Sequence, residues 1–171
     1  MKTILSEKLP RILKNKTKLE KELNLKITNR GKEINIEGEP EDEYFGEKVI
    51  IALNFGFPYS SAISIKTEEK EFEILNIKDY ARTKDLSRVR ARIIGKKGRG
   101  IQTISALTKC NIELNENRVG IIGDAECIKN AIEAISSLTK GAKHSNVYSF
   151  LEKHQIQPVF DFGLKEEKKK K

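Results

Sequence analysis

Residues 92–114 read RIIGKKGRGIQTISALTKCNIEL, and the middle of this segment is its most unusual part. Gly95, Gly98 and Gly100 fall within six positions, separated only by Lys96, Lys97 and Arg99. Glycine costs backbone entropy wherever a chain is ordered, so this density predicts a loop that needs special dihedrals or close approach to a ligand. The cations around it predict that the ligand is an anion. On the N-terminal side, Leu86, Val89 and Ile93 follow helical spacing behind Asp85, a candidate N-cap, which turns Arg88 and Arg92 together onto the opposite face. Gly95 is placed to end that helix. On the C-terminal side, Ile101, Ile104 and Leu107 mark a second helix, and residues 111–114 read as a short strand. A phosphate could therefore meet backbone N–H groups and the positive end of a helix dipole between the two helices. Lys96 and Lys97, at the loop tip, suit general phosphate attraction better than base reading, because phosphate contacts position and base contacts specify.

The charge of the whole chain is concentrated here. The net charge is +8 over 171 residues, and Arg82 to Arg99 alone carries eight basic residues against the single acid Asp85. A polyanion is the expected partner. The longest uncharged stretch, residues 49–65, contains Asn54, Pro58 and three serines, so neither a membrane span nor a secretory signal is expected. Cys110 and Cys127 fit no zinc spacing and no disulfide framework, which points to a reducing, cytoplasmic setting. The glycine spacing matches neither the dinucleotide fingerprint nor the P-loop, and no acid is placed to hold ribose or magnesium; the chain reads as a non-enzyme without cofactor or metal. His144 and His154 are too far apart for a metal pair on one helix face.

Working outward, the chain repeats itself. A shift of 85 residues superposes Leu19 on Ile104, Ile27 on Ile112, Ile34 on Val119, Gly38 on Gly123, Ile50 on Ile135 and Gly56 on Gly141, without a gap from about residue 19 to 65. In the second copy, residues 72–77 read as a strand, residues 118–122 as another, and Gly123-Asp124 opens a longer helix, with Asp124 as N-cap, that Gly141 ends. In the first copy, Gly38-Glu39-Pro40 opens the equivalent helix, with proline in its first turn. Further short helices are expected at residues 62–65 and 147–151.

Two short helices joined by Gly-Lys-Lys-Gly, then strand, strand and helix, resemble the KH RNA-binding domain, down to its Ile-Ile-Gly-x-x-Gly-x-x-Ile-x-x-Ile pattern. The segments IKDYARTKDLSRVRARIIGKKG, VGIIGD and GAKHSNVYSFLEK further resemble the archaeal two-KH family related to small-subunit ribosome assembly and pre-rRNA processing factors. The resemblance implies an α+β fold: two tandem type I KH-like domains of strand-helix-helix-strand-strand-helix order, each a three-stranded sheet packed on helices. The domains are expected at 1–66 and 67–156, with a basic, disordered tail at 157–171. The resemblance also implies that about four nucleotides of single strand are clamped by the loop. The bases would lie over Ile93, Ile94, Ile101 and Ile104, with Ile112, Glu113 and Leu114 along the far edge; Ile104 and Ile112 serve equally well as plain core. With Arg88, Arg92, Gly95, Lys96, Lys97, Gly98, Arg99 and Gly100, these make up the expected RNA site. The implied RNA is small-subunit rRNA near its 3′ end, and the implied protein partners are a pre-rRNA endonuclease and the alpha subunit of translation initiation factor two. A protein-interaction module and a general KH regulator of mRNA are the competing readings.

The first copy departs from the pattern. At the same shift the loop falls on residues 10–13, and with a two-residue deletion on residues 14–16; neither alignment leaves a glycine. Residues 1–66 carry a net charge of only +2, and Glu39, Glu41, Asp42, Glu43 and Glu47 cluster at the long helix. The first copy is expected to be a degenerate domain that packs on the second, widens the RNA surface or docks a protein. Tyr80, Tyr148, Phe150 and Phe160 are further candidates for base stacking, with packing favoured for Phe150.

Overall fold

The computed structural model describes residues 1–155, so the lysine-rich tail and Phe160 lie outside the described residues. The first copy runs β1 (Lys2–Leu5), α1 (Leu9–Lys14), α2 (Lys16–Leu23), β2 (Lys26–Arg30), β3 (Glu33–Glu37), α3 (Pro40–Phe55) and α4 (Tyr59–Thr67). The second runs β4 (Glu71–Asn76), α5 (Ile77–Tyr80), α6 (Leu86–Ile94), α7 (Arg99–Thr108), β5 (Asn111–Asn115), β6 (Arg118–Gly123), α8 (Ala125–Lys140) and α9 (His144–Lys153). Each copy builds one antiparallel sheet with its last strand in the middle, in the orders β1-β3-β2 and β4-β6-β5. The 85-residue shift carries β2 onto β5, α3 onto α8 and the start of α4 onto the start of α9.

Upstream of α2 the register breaks for a physical reason. The first copy has only ten residues between β1 and α2, filled by a six-residue α1, whereas the second spends 22 between β4 and α7 on α5, a longer α6 and the glycine loop. Residues 10–13 lie inside α1, and Asn15 alone separates α1 from α2, so the alignment with the two-residue deletion is the structural one. The chain turns there with ordinary negative φ and leaves no loop for a ligand.

Local chemistry explains most boundaries. Asp85 caps α6, accepting a hydrogen bond from the Arg88 backbone N–H at 3.2 Å. Asp124 occupies the N-cap position of α8, but its side chain makes no capping bond, contrary to the expectation. Asn76 caps the unforeseen α5, which takes over Ile77 from the expected strand. Three of the acids at α3, Asp42, Glu43 and Glu47, tie the helix to other parts of the first copy, whereas Glu39 and Glu41 are exposed. Asp42 accepts from Lys66 Nζ at 2.5 Å and from Asn24, which hold its carboxyl below its usual range, while Glu43 is lowered by the N-terminal amine at 2.9 Å and the Gly38 N–H.

The two sheets are covered differently. In β6, Val119 and Ile121 face the helices of their own copy, whereas Ile122 belongs to the core of the first copy. Gly120 lies on that second face too: a Cβ there would come within 2.8 Å of the Phe55 and Phe57 rings. Phe57 stacks on Phe55 at 5.9 Å and meets Phe72 of β4 edge-on at 5.8 Å. Asn115 donates to the Phe55 carbonyl at 3.0 Å, tying β5 to the same connection between α3 and α4. The first copy thus packs on the back of the second sheet, and β6 is buried on both faces from Val119 to Ile122. Among the described residues, no helix is long and apolar enough to cross a membrane.

Candidate nucleic-acid interface

Between α6 and α7 the backbone makes an abrupt turn that side chains would oppose. Gly95 closes α6 at φ 74° and ψ 177°, and Gly98 precedes α7 at φ 75° and ψ 5°. Lys97, between them, is also left-handed at φ 54°, a conformation that costs an ordinary residue about 1–2 kcal/mol. The two flanking glycines have different duties. A Cβ on Gly95 would lie 2.6 Å from the Gly100 backbone nitrogen, so the helices cross there at backbone contact, and Gly100 is buried in the same crossing, 2.7 Å from the Ile93 carbonyl by the same test. Around Gly98 nothing lies within 4 Å of a Cβ position. Gly95 and Gly100 therefore permit the fold of the turn, and Gly98 leaves an open approach to it.

That approach is electropositive. Lys96, Lys97 and Arg99 are exposed, and among the described residues none of them forms an ion pair. The first turn of α7 has no side-chain cap, so its amides face the loop together with the positive end of the helix.

Next to the loop lies a groove of about 410 Å³. Ile101, Gln102, Ser105 and Ala106 of α7 form one wall, Asn111, Ile112 and Glu113 of β5 form the edge, and Phe57, Pro58 and Ser61 of the first copy complete it. Strand alternation divides the residues expected along that edge. Glu113 pairs with Gly120 and faces the first copy, whereas Ile112 and Leu114 pair with Ile121 and Val119 and face the helices. Burial pushes the Glu113 carboxyl up, opposed by the charges of Arg11 and Lys8. Those two cations are anchored beside the domain junction, Arg11 to the Gly56 carbonyl at 2.8 Å and Lys8 to that of Phe55 at 3.2 Å.

The expected site is therefore gathered in part. Ile94, 39% exposed, stands at the surface before the loop, and Ile101 and Ile112 line the groove. Ile93 and Ile104 are fully buried and serve the core, and Leu114 packs on that core without lining the groove. Arg88 and Arg92 point elsewhere, lining a separate cleft between α6 and α8 that shares no residue with the groove. Tyr80, Tyr148 and Phe150 pack against the second core. Cys110 and Cys127 are buried thiols; burial pushes Cys110 up to about 11 and raises Cys127, which suppresses the reactive thiolate. Residues 57, 58 and 61 were not foreseen in the groove. Their one signal is Gly120, because a glycine within a strand marks close approach of another part of the chain.

Comparisons with known proteins identify the family. A family model described as the eukaryotic type KH-domain (KH-domain type I) matches residues 71–156, half of the chain. A KH domain-containing protein of Methanocaldococcus jannaschii is 30% identical over 152 residues, which cover 82% of this chain and 65% of that protein. Pre-rRNA-processing protein pno1 of Emericella nidulans is 31% identical over 112 residues, covering 63% of this chain and 43% of that protein. The chain thus spans less than two thirds of the length of either relative. In the crystal structure of the a/eIF2alpha-aDim2p-rRNA complex from Pyrococcus horikoshii, a chain 28% identical to this one superposes with a TM-score of 0.81, over 90% of this chain and 93% of that one. A family model over the half of the chain that holds the glycine loop, together with a relative named as a KH domain-containing protein, establishes that the chain belongs to the type I KH-domain family.

Proposed function

We propose that this protein binds single-stranded RNA, with the strand's phosphates at Gly95–Gly98 and its bases in the adjoining groove. The observation that carries this reading is the junction of two features: an open, uncapped helix start flanked by Lys96, Lys97 and Arg99, and a groove whose apolar wall begins at Ile101, one helical turn away. A phosphate at the loop meets backbone N–H groups and cations without displacing a side chain at Gly98. Bases then fall against Ile101, Ala106 and Ile112, while the polar groups of Gln102, Asn111 and Glu113 offer donors and acceptors to their edges. The first copy contributes Phe57 and Pro58 to the far wall, so it widens the RNA surface without a clamp of its own.

The target we infer is small-subunit rRNA near its 3′ end, bound in the cytoplasm during subunit assembly or pre-rRNA processing. Support comes from the relatives: one is named a pre-rRNA-processing protein, and the superposed chain comes from a complex that contains rRNA and a/eIF2alpha. A contact with the initiation factor's alpha subunit and one with a pre-rRNA endonuclease extend the same reading.

Fluorescence anisotropy with a short RNA copying that 3′ end, against a scrambled strand, tests it. Lys96→Asp combined with Lys97→Asp is expected to weaken binding about 10–100-fold, the worth of one or two charge-assisted contacts, with an unchanged melting temperature. Unchanged affinity in a folded variant refutes the site, and equal affinity for both strands refutes the target.

A further inference from the structure

The cations displaced from the groove are the unexplained part of this surface. Arg82, Arg88 and Arg92, with Lys140 of α8, line a cleft of about 270 Å³ in which no acidic side chain takes part. Among the described residues, none of these four forms an ion pair. Like charges gathered in one concavity with no acid between them raise the local positive potential and attract an anion. Arg92 is fixed in place: its Nη2 donates to the Gly141 carbonyl at 3.0 Å and also to that of Ala142, and its Nε is buried without a partner. A guanidinium held in this way has already given up the rotamer entropy that ligand binding would otherwise cost.

We propose that this cleft is a second phosphate-binding site, which holds the backbone of the RNA strand where it leaves the glycine loop. The inference rests on the RNA-binding reading above. α6 joins the two places: Arg88 and Arg92 lie one turn apart on it, and Gly95 ends it. Seven residues separate Arg88 from Gly95, about 10 Å of helix, or about three phosphates at the axial spacing of a nucleic-acid strand. A strand anchored at the loop thus reaches Arg92 and then Arg88, Arg82 and Lys140 without leaving the protein surface. The chemistry of the cleft favours a sugar-phosphate backbone over an acidic protein segment. Its apolar members, Val89 and Leu138, are 5% and 0% exposed, so they offer no anchor pocket, whereas the cations and the Thr83 hydroxyl suit phosphate oxygens.

The test compares two labelled RNAs on the full-length protein, a hexamer copying the rRNA 3′-end segment that fills the groove and a 14-mer with that hexamer at its centre. The variant carries Arg82→Ser, Arg88→Ser and Lys140→Ser, all at exposed positions, and leaves Arg92 with its backbone carbonyls. The 14-mer is expected to bind the wild type more tightly than the hexamer does. In the variant its affinity falls about tenfold or more, and its log-log salt slope becomes shallower by about 0.7 for each phosphate that is no longer neutralised. Hexamer affinity stays unchanged. An equal drop on both RNAs, or no drop on the 14-mer, overturns the second site while leaving the loop site standing. A wild type that binds neither RNA refutes the RNA-binding reading itself. A polyglutamate peptide whose binding is abolished in the variant, while the 14-mer is unaffected, identifies an acidic protein as the occupant and also overturns the proposal.

Discussion

At the scale of single residues, the loop glycines differ in what they do, although the sequence spells them alike. Gly95 combines positive φ with backbone contact to Gly100, whereas Gly98 has positive φ with open space around it. Gly95→Ala is therefore expected to cost about 2–4 kcal/mol in urea unfolding, from strain and overpacking together. Gly98→Asn, which tolerates a left-handed backbone, should cost less than about 1 kcal/mol yet weaken RNA binding by filling the approach. Similar destabilisation of the two variants would mean that the helices do not cross at Gly95 as described. The isoleucines separate in the same way. Ile93 and Ile104 look no different from Ile94 and Ile101 in a pattern of spacings, but the crossing of α6 and α7 buries the first pair and exposes or half-exposes the second.

Among elements, the long helices α3 and α8 follow from sequence with little ambiguity, because an apolar stripe of 16 residues between a proline or acidic start and a glycine stop has few alternatives. Capping is less legible. Asp85 and Asp124 occupy equivalent places before α6 and α8, yet only Asp85 makes the bond. Asp85→Ala should lower stability by about 1 kcal/mol, and Asp124→Ala by a few tenths at most, the residue of its dipole contribution. Thermal unfolding of the two variants side by side settles the contrast; an Asp124 effect equal to that of Asp85 would contradict the cap geometry. α5 is not legible in the sequence, because a four-residue helix has too little periodicity and it begins at Ile77, whose alternation continues that of the strand before it.

For the molecule as a whole, the decisive contact is between copies. Phe55 and Phe57 lie on the face of β6 that Gly120 leaves bare, and this contact brings Phe57 and Pro58 to the groove that adjoins the glycine loop. Gly120→Val is expected to destabilise the protein by about 1–3 kcal/mol and to raise hydrogen exchange in both β6 and the α3–α4 connection. Phe57→Ala should relieve part of that strain, so the double variant is less destabilised than the sum of the single ones. Strict additivity would show that Gly120 and Phe57 are not packed together.

The chain's own sequence determined the duplication, the order of elements in each copy apart from α5, the glycine turn at Gly95–Gly98 and the absence of that turn from the first copy. These are local properties: helical and strand periods, glycine at positive φ, and charge clustered within one loop are set by neighbours a few residues apart. The tertiary structure alone decided which face of β6 the first copy covers, which isoleucines line the groove, and that Arg88 and Arg92 stand in a cleft apart from it. Those outcomes depend on contacts between segments far apart in the chain, such as Arg92 with the carbonyls of Gly141 and Ala142, and spacing along a sequence carries no record of which segments will meet.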